Sequence, residues 1–473
     1  MTRRNSWMGR ASAAALLMGA LGGCDFIEST TSDPNNVSDA DVNQLFTGVQ
    51  VNTFYMSQNY YARVASMWTN QTAGVTSQFT SYDQYQLLED DTDDEMASHY
   101  GSGGLIDIRQ GIALAEEEGR RVYAGIFKVY EAYLIGMAAD VFGDIPYSQA
   151  VDADVIAPEL DPQLEVYASL QTLLDGAIQD LASGAGAGPG GVDLNFGGDA
   201  ACWTQVAYSL KARLHLHTAE VNAGAYPQAL AAASSGIDSN ACNFRSVHSS
   251  AATETNVWHQ FMRDRPAHIV AGYHLANLLN GGTPSTTADD DPRLSYFFLP
   301  ASGAVAGQYV GSLPGSPPGD QDDNASPLNI TATGVLAPSN DQPILTCAET
   351  RFIIAEAQAR AGDAAAARAA ANDGIACEAE RLGVAIAEIP ASVTGDALLE
   401  AILREKYIAL FLNYEVWNDY KRTCYPEVQT HAGNAVPGRL LYGATERATN
   451  PNIPDVGVQR QNPRNPNDPA PCT

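Results

Sequence analysis

The chain has 473 residues, and 45% of them are hydrophobic, a share typical of globular proteins and not of disordered ones. Its 55 acidic and 26 basic side chains give a formal net charge of −29. Because contacts to nucleic-acid phosphates need a basic surface, this balance excludes a nucleic-acid-binding protein, and we expect no nucleic-acid partner.

Residues 1–23 are predicted to be a signal peptide. They contain three arginines and no acidic residue, and they include an apolar run from Ala11 to Leu21. A run of about 11 residues is too short to span a bilayer, which takes roughly 20, but it fits the hydrophobic part of a secretory signal. We therefore expect the mature chain to begin close to residue 24.

Small residues lead up to Cys24, and they resemble the lipobox of bacterial lipoproteins. In that family the cysteine becomes the new N-terminus and carries acyl chains, so Cys24 is the expected site of lipid attachment. A plain signal peptide cut elsewhere, with Cys24 as a free thiol, is the alternative. Residues 24–45 are polar and acidic, and they are predicted to form a tether between the lipid and the fold.

Residues 46–473 are predicted to form a single, mainly α-helical domain. Apolar residues recur at spacings of three and four in most of this region, which is the helical period. The segments with this pattern are 105–114, 122–137, 164–181, 203–221, 226–237, 346–362, 364–375 and 397–412. Pairs of them with small residues at the crossing predict tetratricopeptide-like hairpins separated by long irregular loops.

The acidic residues form one dense run and one spaced group. Six of the seven residues in 89–95 are acidic, which usually indicates a solvated surface but also suits a calcium ion. Asp320, Asp322 and Asn324 have the spacing of the first half of an EF-hand loop, although its glycine and its final glutamate are replaced. Calcium is a weak hypothesis at either place, and no other cofactor is expected.

Six cysteines follow Cys24, and an even number in an exported chain favours disulfide bonds. We favour sequential pairing, because the members of each of the first two pairs flank a predicted helix pair. The third pair would hold the Pro- and Asn-rich tail against the last helix. Free buried thiols are the alternative. The expected pairs are Cys202 with Cys242, Cys347 with Cys377, and Cys424 with Cys472.

The most distinctive segment is residues 139–148, with the sequence ADVFGDIPYS. It resembles the FGDIPY signature of the SusD/RagB family of outer-membrane lipoproteins. Further segments resemble family motifs in the same order, and together they cover about residues 45–450. These segments are 203–214, 256–261, 291–294, 351–357, 404–422 and 437–450.

The resemblance implies a surface-exposed, lipid-anchored protein of the outer membrane that binds a nutrient. The nutrient would be an oligosaccharide, or in some members a peptide, and it would pass to a partner, a SusC-like TonB-dependent barrel. Family members are generally not enzymes, so no catalytic residue is expected.

Four residues of the FGDIPY segment are expected to have a structural role. Gly143 and Pro146 end the preceding helix, Asp144 can accept backbone hydrogen bonds in the turn, and Tyr147 can pack on the hairpin behind. A rigid helix-exit turn is the favoured interpretation, and direct contact with ligand is the alternative.

Sugar-binding sites combine aromatic faces with polar side chains for the hydroxyl groups. The window 78–101 contains several tyrosines among polar residues, and a second aromatic group follows in the midchain loops. The candidate ligand-binding residues are therefore Tyr82, Tyr85, Tyr100 and Tyr296. Each could instead pack in the core or contact the barrel. Trp68 and Trp258 are expected to pack in the core.

Two other functions remain open at this point. A surface glycoside hydrolase would use two of the many carboxylates. The acids and arginines of residues 404–422 instead favour ion pairing along a helix, which needs no catalysis. A lipoprotein that only scaffolds other surface proteins is the third hypothesis.

Overall fold

The computed structural model describes residues 40–285, 289–316 and 324–472. Cys24, Asp320 and Asp322 lie outside the described residues. The structure therefore does not test the lipid site, or most of the calcium site predicted at Asp320, Asp322 and Asn324. The chain divides into two compact units, Met1–Gln44 and Leu45–Thr473. Of the first unit, residues 40–44 are described, and the first helix begins there. Within the described residues, no helix is both long enough and apolar enough to cross a membrane.

Helices dominate the described chain, as predicted. In the first half these are α1 Val42–Met56, α2 Tyr60–Trp68, α3 Gln78–Asp83, α4 Asp93–Tyr100, α5 Leu105–Glu117, α6 Arg121–Phe142, α7 Gln163–Ser183, α8 Ala200–His217 and α9 Ala225–Ala233. The later ones are α10 Val257–Asp264, α11 Tyr273–Leu279, α12 Leu294–Phe297, α13 Cys347–Arg360, α14 Ala364–Leu382, α15 Asp396–Ala409, α16 Glu415–Thr423, α17 Ala444–Thr449 and α18 Val456–Gln461.

Short 3₁₀ turns and two small sheets complete the regular structure. The 3₁₀ turns are Glu89–Thr92, Gly190–Val192, Asn240–Cys242, Gly303–Val305 and His431–Gly433. The strands are β1 Thr72–Gly74, β2 Phe244–Ser246, β3 Ile269–Ala271 and β4 Gln342–Leu345. β1 pairs antiparallel with β3, and β2 pairs antiparallel with β4, so both sheets join segments that are far apart in sequence.

Helical hairpins form the body of the fold. α6 packs against α5 and α7, α8 packs against α7 and α9, and α13 packs against α14. α6 is buried on nearly all sides, as expected of a central helix whose residues are apolar around its whole circumference. α13 and α14 approach closely through alanines and Gly374, where an added Cβ would lie 3.0 Å from Cε1 of Phe352.

Three disulfide bonds connect the described cysteines in the sequential order that we expected. Each of the first two ties a hairpin helix to the segment beside it, and the third ties the end of α16 to the tail. The bonds are Cys202–Cys242, Cys347–Cys377 and Cys424–Cys472.

The Pro- and Asn-rich tail is also held by hydrogen bonds. Nδ2 of Asn465 donates to the carbonyl of Asp140 at 2.7 Å, and Nδ2 of Asn467 donates to the carbonyl of His217 at 3.0 Å. Both asparagines are buried. The tail is therefore part of the core and not a loose appendage.

Candidate functional site

The structure does not bring the four predicted ligand-binding tyrosines together. Tyr82 is buried, and its hydroxyl donates to Oδ1 of Asp91 at 2.9 Å. The hydroxyl of Tyr100 is also buried, and burial raises its pKa well above the usual value. Tyr85 and Tyr296 line two different cavities. The two predicted core tryptophans, Trp68 and Trp258, are fully buried.

Tyr85 lines a cavity of about 550 Å³ between the segment after α3 and the C-terminal tail. The cavity combines apolar side chains with glutamines and two arginines. Leu88, at its edge, is 60% exposed. The cavity is lined by Ser81, Tyr85, Gln86, Leu87, Leu88, Pro437, Arg439, Leu441, Gln459, Arg460 and Pro463.

The local backbone and Trp68 position Tyr85 at this cavity. Its φ of +64° is unusual for a residue with a side chain, and the turn is closed by backbone hydrogen bonds from Tyr85 to Tyr82 and from Gln86 to Ser81. The ring packs edge-on against Trp68, with 6.1 Å between ring centroids. The backbone N–H of His431 faces the Tyr85 hydroxyl without reaching hydrogen-bond geometry.

Two arginines line the same cavity. The guanidinium of Arg439 lies 4.8 Å from the centroid of the Tyr442 ring, and its Nη2 is buried without a hydrogen bond to any described residue. Nη2 of Arg460 donates to the carbonyl of Leu87 at 3.1 Å. An aromatic ring beside arginine and glutamine side chains is an arrangement suited to binding a sugar.

The cavity at Tyr296 is smaller, about 290 Å³, and two of its polar side chains face partners of opposite character. Nδ2 of Asn340 donates to the Tyr296 hydroxyl at 3.1 Å, and Arg245 pairs with Asp341 at 3.0 Å. A larger cavity of about 700 Å³, which includes Asp290 and Glu400, has no aromatic side chain in its lining. Both cavities are therefore less suited to a sugar than the one at Tyr85.

The dense acidic run at 89–95 is bound by groups of the protein itself. Arg447 pairs with Glu89 at 2.6 Å, and the backbone N–H of Thr445 donates to Asp93 at 2.8 Å. Glu95 is buried, its Oε1 accepts from Asn59 at 2.7 Å, and burial raises its pKa to about 7. The run thus attaches this segment to the C-terminal region, and calcium binding at either acidic site stays a prediction.

The FGDIPY segment turns the chain between α6 and α7. Gly143 has a φ of +86° directly after the last residue of α6. Oδ1 of Asp144 accepts from the backbone N–H of Gln163, at the start of α7, at 2.8 Å. The hydroxyl of Tyr147 donates to Glu131 at 3.0 Å. The bonds of Asp144 and Tyr147 are to the protein itself.

A buried cluster of Asp140, His217 and Glu415 was not predicted from the sequence. The two ring nitrogens of His217 each lie 2.8 Å from a carboxylate oxygen, one on Asp140 and one on Glu415. Burial alone would lower the pKa of His217, but the two carboxylates raise it to about 10, and His217 and Arg213 lower the pKa of Glu415 to about 2. Although these three residues lie close enough to ligate a metal ion, His217 with its raised pKa is an imidazolium, in which both ring nitrogens are donors and neither can bind a metal.

A second buried ion pair network accounts for the charged residues of the last helices. Arg422 contacts Glu356 at 2.6 Å and Asp419 at 2.8 Å, and Lys406 contacts Asp419 at 2.7 Å. The expected ion pairing is therefore present, but it lies inside the fold and not on a solvated helix face.

Comparison with known proteins places the chain by family and by fold. The model of a SusD-like family, described as starch-binding and associating with the outer membrane, matches residues 34–443. No curated protein matches the chain.

Solved structures share the fold at low sequence identity. A SusD-like protein from Bacteroides thetaiotaomicron is 21% identical, with a TM-score of 0.74 over 90% of this chain and 97% of its own. A chitin-binding SusD homolog from Flavobacterium johnsoniae is 19% identical, with a TM-score of 0.73 over 91% and 100%. A further chitin-binding protein is 21% identical, with a TM-score of 0.72 over 90% and 98%. This agreement confirms the predicted fold class.

Proposed function

Because the chain belongs to the SusD-like family, we propose that it binds an oligosaccharide in the Tyr85 cavity and delivers it to a SusC-like TonB-dependent barrel. The family consists of binding proteins and not of enzymes, in agreement with the prediction that the chain is not an enzyme. The single observation that carries the choice of site is that Tyr85 lines one cavity together with two arginines and two glutamines.

The chemistry of the cavity supports a carbohydrate. The C–H faces of a pyranose pack against an aromatic ring, and its hydroxyl groups take hydrogen bonds from arginine and glutamine side chains. A volume of about 550 Å³ is within the usual range for small-molecule sites, roughly 300 to 1,000 Å³. The cavity therefore has room for a short segment of a polysaccharide.

Starch and chitin are the first ligand classes to consider. The family description names starch, and two proteins of the same fold are chitin-binding. Both polysaccharides are chains of pyranoses, α-linked in starch and β-linked in chitin. Both present C–H faces that can pack against an aromatic ring. We propose a glycan of this general kind and not a peptide.

Attachment to the membrane is proposed through Cys24. Acyl chains on Cys24 and the polar segment between Cys24 and the start of α1 at Val42 would hold the domain at the surface of the outer membrane. Two lipid chains give stable anchoring, whereas one gives only reversible binding. Labelling with a fatty-acid analogue in cells, with Cys24→Ser as the control, tests this point.

Incubation of the purified protein with a panel of starch- and chitin-derived oligosaccharides tests the proposed function. We expect binding by calorimetry to at least one of them and no increase in reducing ends over time. Release of reducing ends would identify a glycoside hydrolase. Absence of binding to every oligosaccharide and peptide, with barrel association intact, would support a purely structural lipoprotein.

A further inference from the structure

Two arginines differ from the others in the surroundings of their side chains. Among residues 40–285, 289–316 and 324–472, Arg63 and Arg265 are the arginines whose guanidinium groups make neither an ion pair nor a hydrogen bond with another described residue. The others meet a carboxylate or a carbonyl oxygen, as Arg263 meets Asp264 and Arg351 meets the carbonyl of Asp238. In a sequence with 55 acidic side chains, two arginines that meet neither a carboxylate nor a carbonyl oxygen need an explanation.

Both of these arginines line one cavity of about 300 Å³. Arg63 belongs to α2, and Arg265 directly follows α10. The guanidinium carbons lie 4.1 Å and 5.5 Å from the ring centroid of Phe261, within the range of a cation–π contact. Both cations therefore contact the same ring, and neither has a hydrogen-bond acceptor among the described residues.

Asp264 lines this cavity and Glu95 lies close to Arg63, but both carboxylates already have other partners. Asp264 pairs with Arg263 at 2.7 Å, and Glu95 accepts a hydrogen bond from Asn59 at 2.7 Å. Neither forms an ion pair with Arg63 or Arg265. The two arginines therefore supply positive charge that no carboxylate of the described chain neutralises directly.

Burial makes this arrangement costly in the absence of an anion. Nε of Arg63 is buried without an acceptor, and burial lowers the pKa of Arg63 to about 10, so that the group is still a cation at neutral pH. A buried cation without a partner is unfavourable, and an oxyanion with two or more acceptor oxygens would relieve it.

We propose that this cavity binds the carboxylate or sulfate group of an acidic sugar. The planar guanidinium groups of Arg63 and Arg265 match such an oxyanion, which accepts parallel N–H hydrogen bonds. The neutral part of the ligand would contact Tyr55, which is 44% exposed, and the amide of Gln260. That the ligand is a sugar rests on the proposed function, whereas the binding of an oxyanion does not.

Calorimetry at low salt with four matched probes tests this proposal. They are glucuronate, glucose 6-sulfate, glucose and inorganic sulfate. We expect at least one of the two anionic sugars to bind about tenfold or more tightly than glucose, because charge-assisted hydrogen bonds are stronger than neutral ones. The preferred sugar distinguishes carboxylate from sulfate, and competition by inorganic sulfate would support an oxyanion site.

Substitutions locate the binding. Arg63→Gln and Arg265→Gln should each weaken binding of the anionic sugar about tenfold or more, whereas Arg351→Gln, which makes the same charge change elsewhere, should not. Arg265 is exposed, so its variant tests the site even if Arg63→Gln fails to fold. Tyr85→Ala should leave anion binding unchanged, which separates this proposal from the proposed function.

Three results would overturn the proposal. The first is equal affinity for glucose and its anionic counterparts. The second is undiminished binding of the anionic sugar by the folded Arg265→Gln variant. The third is no binding of any anionic probe by the wild-type protein at millimolar concentration.

Discussion

Nε2 of His217 lies 2.8 Å from Oε1 of Glu415, and both side chains are buried. The other ring nitrogen faces Asp140 at the same distance. His217 ends α8, Asp140 is near the end of α6, and Glu415 begins α16, so the imidazolium connects three helices. The charge of His217 is therefore part of what holds these helices together.

Replacement of His217 by glutamine should destabilise the fold strongly. The substitution removes a cation and leaves Asp140 and Glu415 as buried carboxylates without it, and breaking a buried pair typically costs about 3–5 kcal/mol. Urea denaturation measures the free energy of unfolding. The control is His215→Gln on the same helix, because His215 is only partly buried. An equal loss in both variants would contradict the role assigned to His217.

The same cluster predicts how stability changes with pH. The pKa of His217 is raised to about 10 in the folded protein, from an ordinary value of about 6.5. A raised pKa means that the folded state holds the proton more tightly, so the contribution is complete below pH 6.5 and is lost as the pH rises through 10. The free energy of unfolding should therefore fall over this interval. The fall should be smaller in His217→Gln, and identical slopes would contradict the prediction.

The sequence predicted the fold better than it predicted the site. Helical periodicity located the hairpins, and the order of the cysteines was enough to predict their pairing. The His217 cluster was missed because Asp140 and Glu415 lie far from His217 in sequence, and only the packing of three helices brings them together. Exposure of a tyrosine is also a tertiary property, which explains why Tyr82 and Tyr85, three positions apart, have such different surroundings.

Gly143→Ala should destabilise the protein more than Gly362→Ala. Both glycines have a positive φ, +86° and +85°, where a side chain adds about 1–3 kcal/mol of backbone strain. Gly143 also has a ψ of −116°, a combination that residues with a side chain rarely adopt. An added Cβ at Gly143 would lie 2.8 Å from Oδ1 of Asn465, whereas no atom lies within 4 Å of an added Cβ at Gly362. The difference in midpoint of urea unfolding measures the combined cost of this backbone conformation and the contact with the tail. No difference would show that the tail adjusts freely.

Removal of the disulfide bond between Cys424 and Cys472 should loosen the tail. The bond closes a loop with a sequence separation of 48, and disulfide bonds typically stabilise a protein by about 2–4 kcal/mol. The double serine variant should unfold at lower urea concentration and be cleaved by protease within residues 425–472. Removal of the Cys202–Cys242 bond is the control, since it should not expose the tail. Equal cleavage patterns would contradict this assignment.

The affinity of Tyr85→Ala for the oligosaccharide that binds best to the wild-type protein tests most directly whether the Tyr85 cavity is the ligand site. Aromatic contacts typically contribute about 0.5–1.5 kcal/mol beyond the burial of their area, so calorimetry should show affinity reduced several-fold or more. Tyr296→Ala, in the smaller cavity, should retain wild-type affinity, and both variants should unfold at similar urea concentration. Unchanged affinity in Tyr85→Ala, together with a loss in Tyr296→Ala, would contradict the placement of the site.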